Sequence, residues 1–332
     1  MSVENMEIIF LAHDPGGYDV IRPVYDKFNN DKSFKSELML TGVLGKQHRE
    51  FALRDNDVLC HLLEKIKDNR DFILVTGTSW NSSIEMDALC LCKQGHITTF
   101  SILDYWSNYK NRFRRVKDYV FPDHFLVMDE MAKKEAIEEG IEERIIHIVG
   151  HPGLDYYVNK RIENIHNKKL LFLSQPLSAL YGDSYGYTEF TSFEGVLKAG
   201  ESLGYSVDIK FHPKETDEMM KKYAHFSVEG AIEELAEGYE AVIGMSTMGL
   251  LQLSIMRVPI ISYQPEIKRE DYCITNKLGI TKGAYSYDDL IEQLKRLRAA
   301  NQEPKYPFWY DGKSTERCCE YIKNAIKSDG GW

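Results

Sequence analysis

The sequence predicts a parallel α/β protein built from two doubly wound units, and three observations carry that expectation. Short β-rich runs alternate with longer stretches of helical periodicity from one end to the other, the pattern of successive βαβ units. The chain has 332 residues, enough at roughly 150 per domain for two separate cores. A polar stretch lacking Pro and Gly, Asn159 to Lys169, divides one set of alternating segments from the next. The expected domains are therefore 1–162 and 163–332, with the last helix free to pack back on the first domain.

In the first set the apolar runs place strands at Glu7 to Ala12, Leu38 to Val43, Phe72 to Thr76, Ile97 to Leu103, Phe125 to Met128 and Ile145 to Val149. Between them Gly17 to Asn29, Gln47 to Asp68, Ser82 to Gln94 and Glu130 to Glu139 carry apolar residues at helical spacing. In the second set strands are expected at Leu170 to Ser174, Ser206 to Phe211, Ala241 to Met245 and Ile260 to Tyr263. Helices are expected near Phe190 to Leu203, Glu215 to Tyr223, Gly249 to Met256 and Tyr287 to Ala300, and a last one at Lys313 to Lys327.

Composition excludes several classes of function. Forty-one Lys and Arg against fifty-one Asp and Glu give a net charge of −10, an unfavourable field for gripping a nucleic-acid backbone. No apolar run approaches the roughly 20 residues a membrane helix needs, and Met1-Ser-Val-Glu-Asn5 has no basic, apolar leader, so a cytoplasmic protein is expected. The six cysteines form no CxxC pair and no zinc spacing, which reads as reduced structural thiols. Gly312-Lys313-Ser314 is not a P-loop, because Pro307 stands where the first Gly is required, and no G-x-S-x-G elbow occurs. Asp55-Asn56-Asp57 falls within a helical stretch and is not read as a metal motif.

In open parallel sheets ligands bind beyond the carboxyl ends of strands, so the residues that follow each strand are the candidates. After the first strand comes His13-Asp14-Pro15-Gly16-Gly17, a helix start whose amides suit an anion and whose His13 or Asp14 could serve as a base; a plain Asp14 cap also fits. Lys210-Phe211-His212-Pro213-Lys214 ends a strand of the second set and can present a donor or cation to a phosphate; a turn histidine satisfied within its own loop also fits. Gly244-Met245-Ser246-Thr247-Met248-Gly249 is another strand end running into a helix, suited either to holding phosphate or to ordinary capping. Thr78 and Ser79 can line the same strand-end face of the first domain. Asp104-Tyr105-Trp106 opens a loop that runs into Lys110, Arg112, Arg114, Arg115 and Lys117, aromatics beside cations that suit a sugar, an anionic acceptor or a membrane-surface phosphate; a solvated charge run also fits. Gly150-His151-Pro152-Gly153-Leu154-Asp155 is read as architectural.

On these motifs the chain resembles the GT-B superfamily of nucleotide-sugar enzymes, whose two Rossmann-like domains face each other across a cleft. The His212-Pro213 turn with Ser246-Thr247 looks like bacterial sialyltransferases and CDP-glycerol glycerophosphotransferases. Gly150 to Asp155 looks like the corresponding stretch of lipid A disaccharide synthase. UDP-N-acetylglucosamine 2-epimerases also carry a His-Pro turn followed by a Ser-Gly helix start. The sialyltransferases' acidic base motif followed by Gly is absent, and the epimerases' acidic residues are not recognisable either.

The resemblance implies an inverting glycosyltransferase that uses no metal and no cofactor beyond a CMP-, CDP- or UDP-linked sugar, in bacterial surface polysaccharide or protein glycosylation. It implies Asp14 or His13 as the base, with His212 assisting the leaving nucleotide. The nucleotide and its phosphate would lie on Gly16, Gly17, His212, Pro213, Lys214, Ser246, Thr247 and Gly249. The acceptor or sugar would lie on Thr78, Ser79, Asp104, Tyr105, Trp106 and Arg112. The partners implied are a glycan, lipid-linked or protein acceptor, without nucleic acid and with at most a peripheral membrane contact. The alternatives are a nucleotide-sugar hydrolase or 2-epimerase, a glycerophosphotransferase, or a binding protein on the same scaffold.

Overall fold

The computed structural model describes residues 6–79, 82–115, 118–163, 165–297 and 306–329. The chain divides into two compact units, Met1–Tyr156 with Phe308–Trp332, and Tyr157–Pro307. Each is a parallel sheet with helices, described here by itself.

Unit 1 contains strands β1 (Met6–Ala12), β2 (Phe34–Leu40), β3 (Phe72–Thr76), β4 (Thr99–Ile102), β7 (His124–Val127) and β8 (Ile146–Ile148), plus a short antiparallel hairpin of β5 (Arg114–Arg115) and β6 (Asp118–Tyr119). The six-stranded sheet has the order β2-β1-β3-β4-β7-β8 and every pairing is parallel. All of β3 and β4 and the last six residues of β1 are buried, as strands covered on both faces must be. Because β2 lies on one side of β1 and β3 on the other, the chain reverses direction across the sheet at β1/β3. The carboxyl ends of those two strands form the switch point where open sheets bind ligands.

The helices of unit 1 are α1 (Pro15–Asn29), α2 (Gly42–Gln47), α3 (Asp55–Lys67), α4 (Ile84–Gln94), α5 (Glu130–Glu138) and, from the far end of the chain, α14 (Ser314–Asp329); α6 (Asp155–Val158) leads out of the unit. Helix α1 starts two residues before the expected Gly17, with Asp14 as its cap and Pro15 in the first turn, where a missing N–H costs nothing. The strand expected to run to Val43 ends at Leu40, because Gly42 takes a φ of +59° and opens α2. The helix expected from Gln47 to Asp68 is broken: Leu53 N–H donates to the Leu40 carbonyl and Ala52 bridges Leu40, so α3 starts only at Asp55. Helix α14 buries Cys318, Cys319, Ile322, Ala325 and Ile326 in the same cluster as Val20, Ile21, Val24 and Phe28 of α1. The Asp155 carboxylate accepts from the Ser314 and Thr315 N–H groups, so the Gly150–Asp155 stretch tethers the start of that helix.

Unit 2 contains β9 (Lys169–Leu173), β10 (Ser206–Lys210), β11 (Ala241–Gly244) and β12 (Ile260–Ser262) in the order β10-β9-β11-β12, all parallel. Its helices are α7 (Leu177–Tyr181), α8 (Glu189–Leu203), α9 (Asp217–Lys222), α10 (Ile232–Leu235), α11 (Met248–Ile255), α12 (Ile274–Lys277) and α13 (Tyr287–Arg296). Helix α8 opens on a reciprocal Thr188/Thr191 capping box and closes on Gly204, whose φ of +72° is the left-handed conformation that glycine adopts without strain. Residues 298–300 of the helix expected to reach Ala300 lie outside the described residues, as does Lys117. Here the direction reverses at β9/β11, and a second set of strand ends is exposed to a ligand by the same logic.

Candidate functional site

At the β1/β3 switch point of unit 1, backbone and carboxylates crowd together. The Asp14 carboxylate accepts from the Gly17 N–H at 2.9 Å. A Cβ on Gly77 would sit 2.8 Å from the Gly17 Cα and 3.0 Å from Glu85 Oε1, so the turns after β1 and β3 touch through two glycines. Gly77→Ala is therefore expected to destabilise the chain by about 1–3 kcal/mol, through backbone displacement rather than lost contacts; a melting temperature equal to that of the parent would show that the two turns can part freely.

Asp104, after β4, accepts from Arg112 Nη1 and from Thr78 Oγ1, and its other oxygen fills the space where a Cβ on Gly16 would lie. The sequence reading offered the Gly16 and Gly17 amides to a phosphate. The structure instead has Asp14 on the Gly17 N–H and the Asp104 carboxylate against Gly16, so this helix start is lined with negative charge and disfavours an anion.

Arg112, one of the basic run, is buried rather than solvated. Its guanidinium donates to the Thr78 carbonyl, Thr78 Oγ1, Asp104 and the Ser107 carbonyl. Its neighbours are conventional surface cations: Arg115 pairs with Asp87 at 2.7 Å and Lys110 lies over the Tyr119 ring. Trp106 is also buried, with its indole N–H given to Asp129 at 2.7 Å and its ring stacked on His151 at 5.7 Å. It braces His151 and offers no open face to a sugar. Tyr105 beside it is partly exposed. His13 is half-buried, with Nδ1 2.7 Å from Thr41 Oγ1 and its ring against Gly42.

Three buried polar atoms at these strand ends have no hydrogen-bond partner among the described residues: Glu85 Oε1, Ser79 Oγ and His151 Nδ1. They belong to one connected set. Ser79 N–H donates to Glu85 Oε2 at 2.6 Å, Thr78 binds Arg112 and Asp104, and His151 Nε2 donates to the Asp104 carbonyl at 3.1 Å. Burial holds the His151 imidazole neutral, below the usual histidine range, which leaves Nδ1 an acceptor. Burial, reinforced by the negative charge of Asp14 and Asp104, pushes the Glu85 carboxyl up to about 8.

The sequence reading missed Glu85. Its signal was present: Glu85, Ala88, Leu89 and Cys92 recur at helical spacing and are all buried, so the carboxyl begins an apolar stripe facing the sheet.

In unit 2 the strand ends carry Ser174 and Gln175 after β9, His212 after β10, and Ser246 after β11. The Ser246 N–H donates to Gln175 Oε1 at 2.9 Å, and Thr247 caps α11 by accepting from the Gly249 N–H at 3.2 Å. The strands bearing His212 and Ser246 are not adjacent; β9 runs between them. His212 Nδ1 accepts from the Lys214 N–H at 3.0 Å, which leaves Nε2 to carry the proton of the neutral ring. Burial, then the charge of Lys214, lowers its proton affinity, so His212 is a neutral Nε2–H donor at pH 7 rather than a cation. Pro213 and Lys214 are exposed. Glu215 is buried and takes the Ser174 hydroxyl and the Thr216 N–H. Ser174 and Gln175 were overlooked although they form a polar pair directly after an apolar run.

Among the described residues no group of three His, Cys, Asp or Glu side chains is placed to hold a metal ion, and no helix is long and apolar enough to cross a membrane.

No protein-family profile matches the chain, and no curated protein matches it by sequence. Solved structures do match it in fold. The UDP-GlcNAc 2-epimerase of Methanocaldococcus jannaschii superposes with a TM-score of 0.71 at 15% identity, over 96% of this chain and 100% of that one. The UDP-GlcNAc 2-epimerase of Neisseria meningitidis, solved with UDP-GlcNAc bound, gives 0.69 at 10% identity over 96% and 100%. The lipopolysaccharide outer core galactosyltransferase WaaB gives 0.53 at 14% identity over 98% and 100%. Together with the two parallel sheets, these likenesses establish the GT-B fold, with two Rossmann-like units.

Proposed function

We propose that this protein is a nucleotide-sugar enzyme of the 2-epimerase type, acting on a UDP-linked sugar, rather than the glycosyltransferase that the motifs first suggested. The observation that carries the reading is the acid–base composition of the unit 1 site. Transfer to an acceptor hydroxyl requires one base, whereas inverting a carbon next to the anomeric centre requires one group to take a proton and another to return it. Unit 1 places a carboxyl kept neutral by burial, Glu85, beside the carboxylates Asp14 and Asp104, and the Asp104 carbonyl in turn holds His151 with its neutral Nδ1 as an acceptor. Environments that push similar groups apart in proton affinity mark acid and base roles.

Unit 2 would hold the diphosphate. The His212 Nε2–H and the Ser246 hydroxyl would be its donors, with Lys214 supplying charge from an exposed position; the Ser246 and Gly249 amides at the start of α11 are already taken by Gln175 and Thr247. The fold likeness to 2-epimerases, over nearly the whole of both chains, supports the same reading. Glycosyl transfer is the second reading, favoured by the likeness to WaaB.

The test has two arms. UDP at about 100 times its dissociation constant is expected to add about 2.7 kcal/mol and raise the melting temperature by several degrees, with CMP, CDP, GDP and dTDP giving less. His212→Ala is expected to lose most of that shift. Incubation with UDP-N-acetylhexosamines in D2O should then place deuterium at the inverted carbon without added acceptor. Absence of a shift with every nucleotide would overturn the nucleotide-sugar reading, and a UDP shift with turnover only in the presence of an acceptor would replace epimerisation by transfer.

A further inference from the structure

Glu85 is the buried acidic group for which neither the fold nor the motifs account. One oxygen holds the Gly77–Ser79 turn through the Ser79 N–H; the other has no hydrogen-bond partner among the described residues, although the side chain is only 4% exposed. That free oxygen faces the contact between Gly17 and Gly77. A Cβ on Gly17 would lie 3.6 Å from Glu85 Oε1 and 3.3 Å from Asp14 Oδ1, so both oxygens border the same small space, which the absence of a side chain keeps open. The charged groups facing it are Asp14 at the start of α1 and Asp104 after β4, with the Arg112 guanidinium bound to Asp104.

We propose that Glu85 is the proton store of the unit 1 site, a positioning acid that acts through Asp14 and not on the substrate itself. Since Oε2 accepts the Ser79 N–H, the proton resides on Oε1. When the substrate is to be protonated, the Glu85 carboxyl turns across this space to Asp14, with which it shares no hydrogen bond at rest; the Glu85 Oε1–H bond breaks, an O–H bond forms on the Asp14 carboxylate, and Asp14 passes that proton to the substrate. The negative charge moves to Glu85, where the Ser79 N–H stabilises it. When Asp14 next removes a proton, the transfer runs backwards and the carboxyl is neutral again. No oxidant or co-reactant is required, and the net charge of the pair, one unit more negative while the substrate holds the proton, is restored when Asp14 takes a proton back. The catalytic part of this inference rests on the nucleotide-sugar reading; the stored proton does not.

The experiment therefore reads both. Infrared titration of the parent protein is expected to show a protonated-carboxylic-acid band at pH 6.5 that disappears with a midpoint near 8 and is absent from Glu85→Gln at every pH. If the only carboxyl bands titrate in the ordinary carboxylate range, there is no stored proton and the proposal fails.

With an active nucleotide sugar, Glu85→Gln should keep its fold, since the amide reproduces the neutral acid's donor and acceptor. It should nevertheless lose about a hundredfold or more in kcat, with little change in KM, because the amide cannot release its proton. Glu85→Asp keeps an ionisable carboxyl on a shorter arm and should recover part of kcat. A merely structural Glu85 gives the reverse order, with Gln close to the parent and Asp impaired, and that order overturns the proposal. A protonated band in a protein that turns over no nucleotide sugar sinks the functional reading and leaves the proton store standing.

Discussion

Arg112→Ala is expected to destabilise the protein by about 3–5 kcal/mol, the range for removing one partner of a buried ion pair. The guanidinium side chain is 6% exposed and that of Asp104 11%. Truncation leaves the Asp104 carboxylate short of its counter-charge, with Thr78 Oγ1 its remaining hydrogen-bond donor from this set. It also strips the Thr78 and Ser107 carbonyls of the donor they share. Arg112→Lys should recover only part of the loss, because an ammonium is a point donor and cannot span three directions at once. Replacing both Arg112 and Asp104 by Leu should cost less than Arg112→Ala alone, since no charge is then left buried. Urea unfolding of the four proteins at pH 7 is the measurement. An Arg112→Ala midpoint within about 1 kcal/mol of the parent would place this arginine with the ordinary surface cations of its run.

The second large effect is a fall in stability with rising pH that originates at one side chain. Glu85 has an ordinary value of 4.5 in the unfolded chain and about 8 in the folded one. Between those two values the native state binds more protons than the unfolded state, so stability declines as pH rises and levels off above pH 8. A displacement of this size amounts to roughly 5 kcal/mol across the whole window. In Glu85→Gln there is nothing to ionise, so the variant should match the parent near pH 4.5 and exceed it in stability by pH 8. His147, held at about 4 mainly by burial, acts with the opposite sign, as do His151 and His212, which burial also lowers, each costing stability as pH falls below the histidine range. The quantity to read is therefore the difference between the two proteins, measured by urea unfolding at several pH values from 4.5 to 8.5. Parallel curves would show that Glu85 ionises alike in both states.

Most of the frame was legible in the sequence for a local reason. Strands buried on both faces must be apolar throughout, and helices that cover them must repeat at 3.6 residues, so Phe72–Thr76 was placed to the residue and most other strands to within two. Helix starts are equally local: Asp14 and Thr247 cap their helices through residues two or three positions away. Hence the strand-end loops bearing His13, Asp14, His212 and Ser246 could be picked out without coordinates. The break between α2 and α3 escaped because it depends on Leu53 pairing with Leu40, thirteen residues away in the chain.

Spacing and composition by themselves determined two parallel α/β units, their strand ends and the polar residues on them. Tertiary structure alone decided which of those residues are chemical. Glu85 is an ordinary helix-start acid until the segments that follow β1, β3 and β4 enclose it. Arg112 is one cation in a run until Thr78, Asp104 and Ser107 close around it, and Trp106 is a candidate platform until Asp129 and His151 enclose it. The physical reason is common to all three. Secondary structure depends on neighbours a few positions apart, whereas desolvation and charge pairing add up over groups brought together from distant parts of the chain.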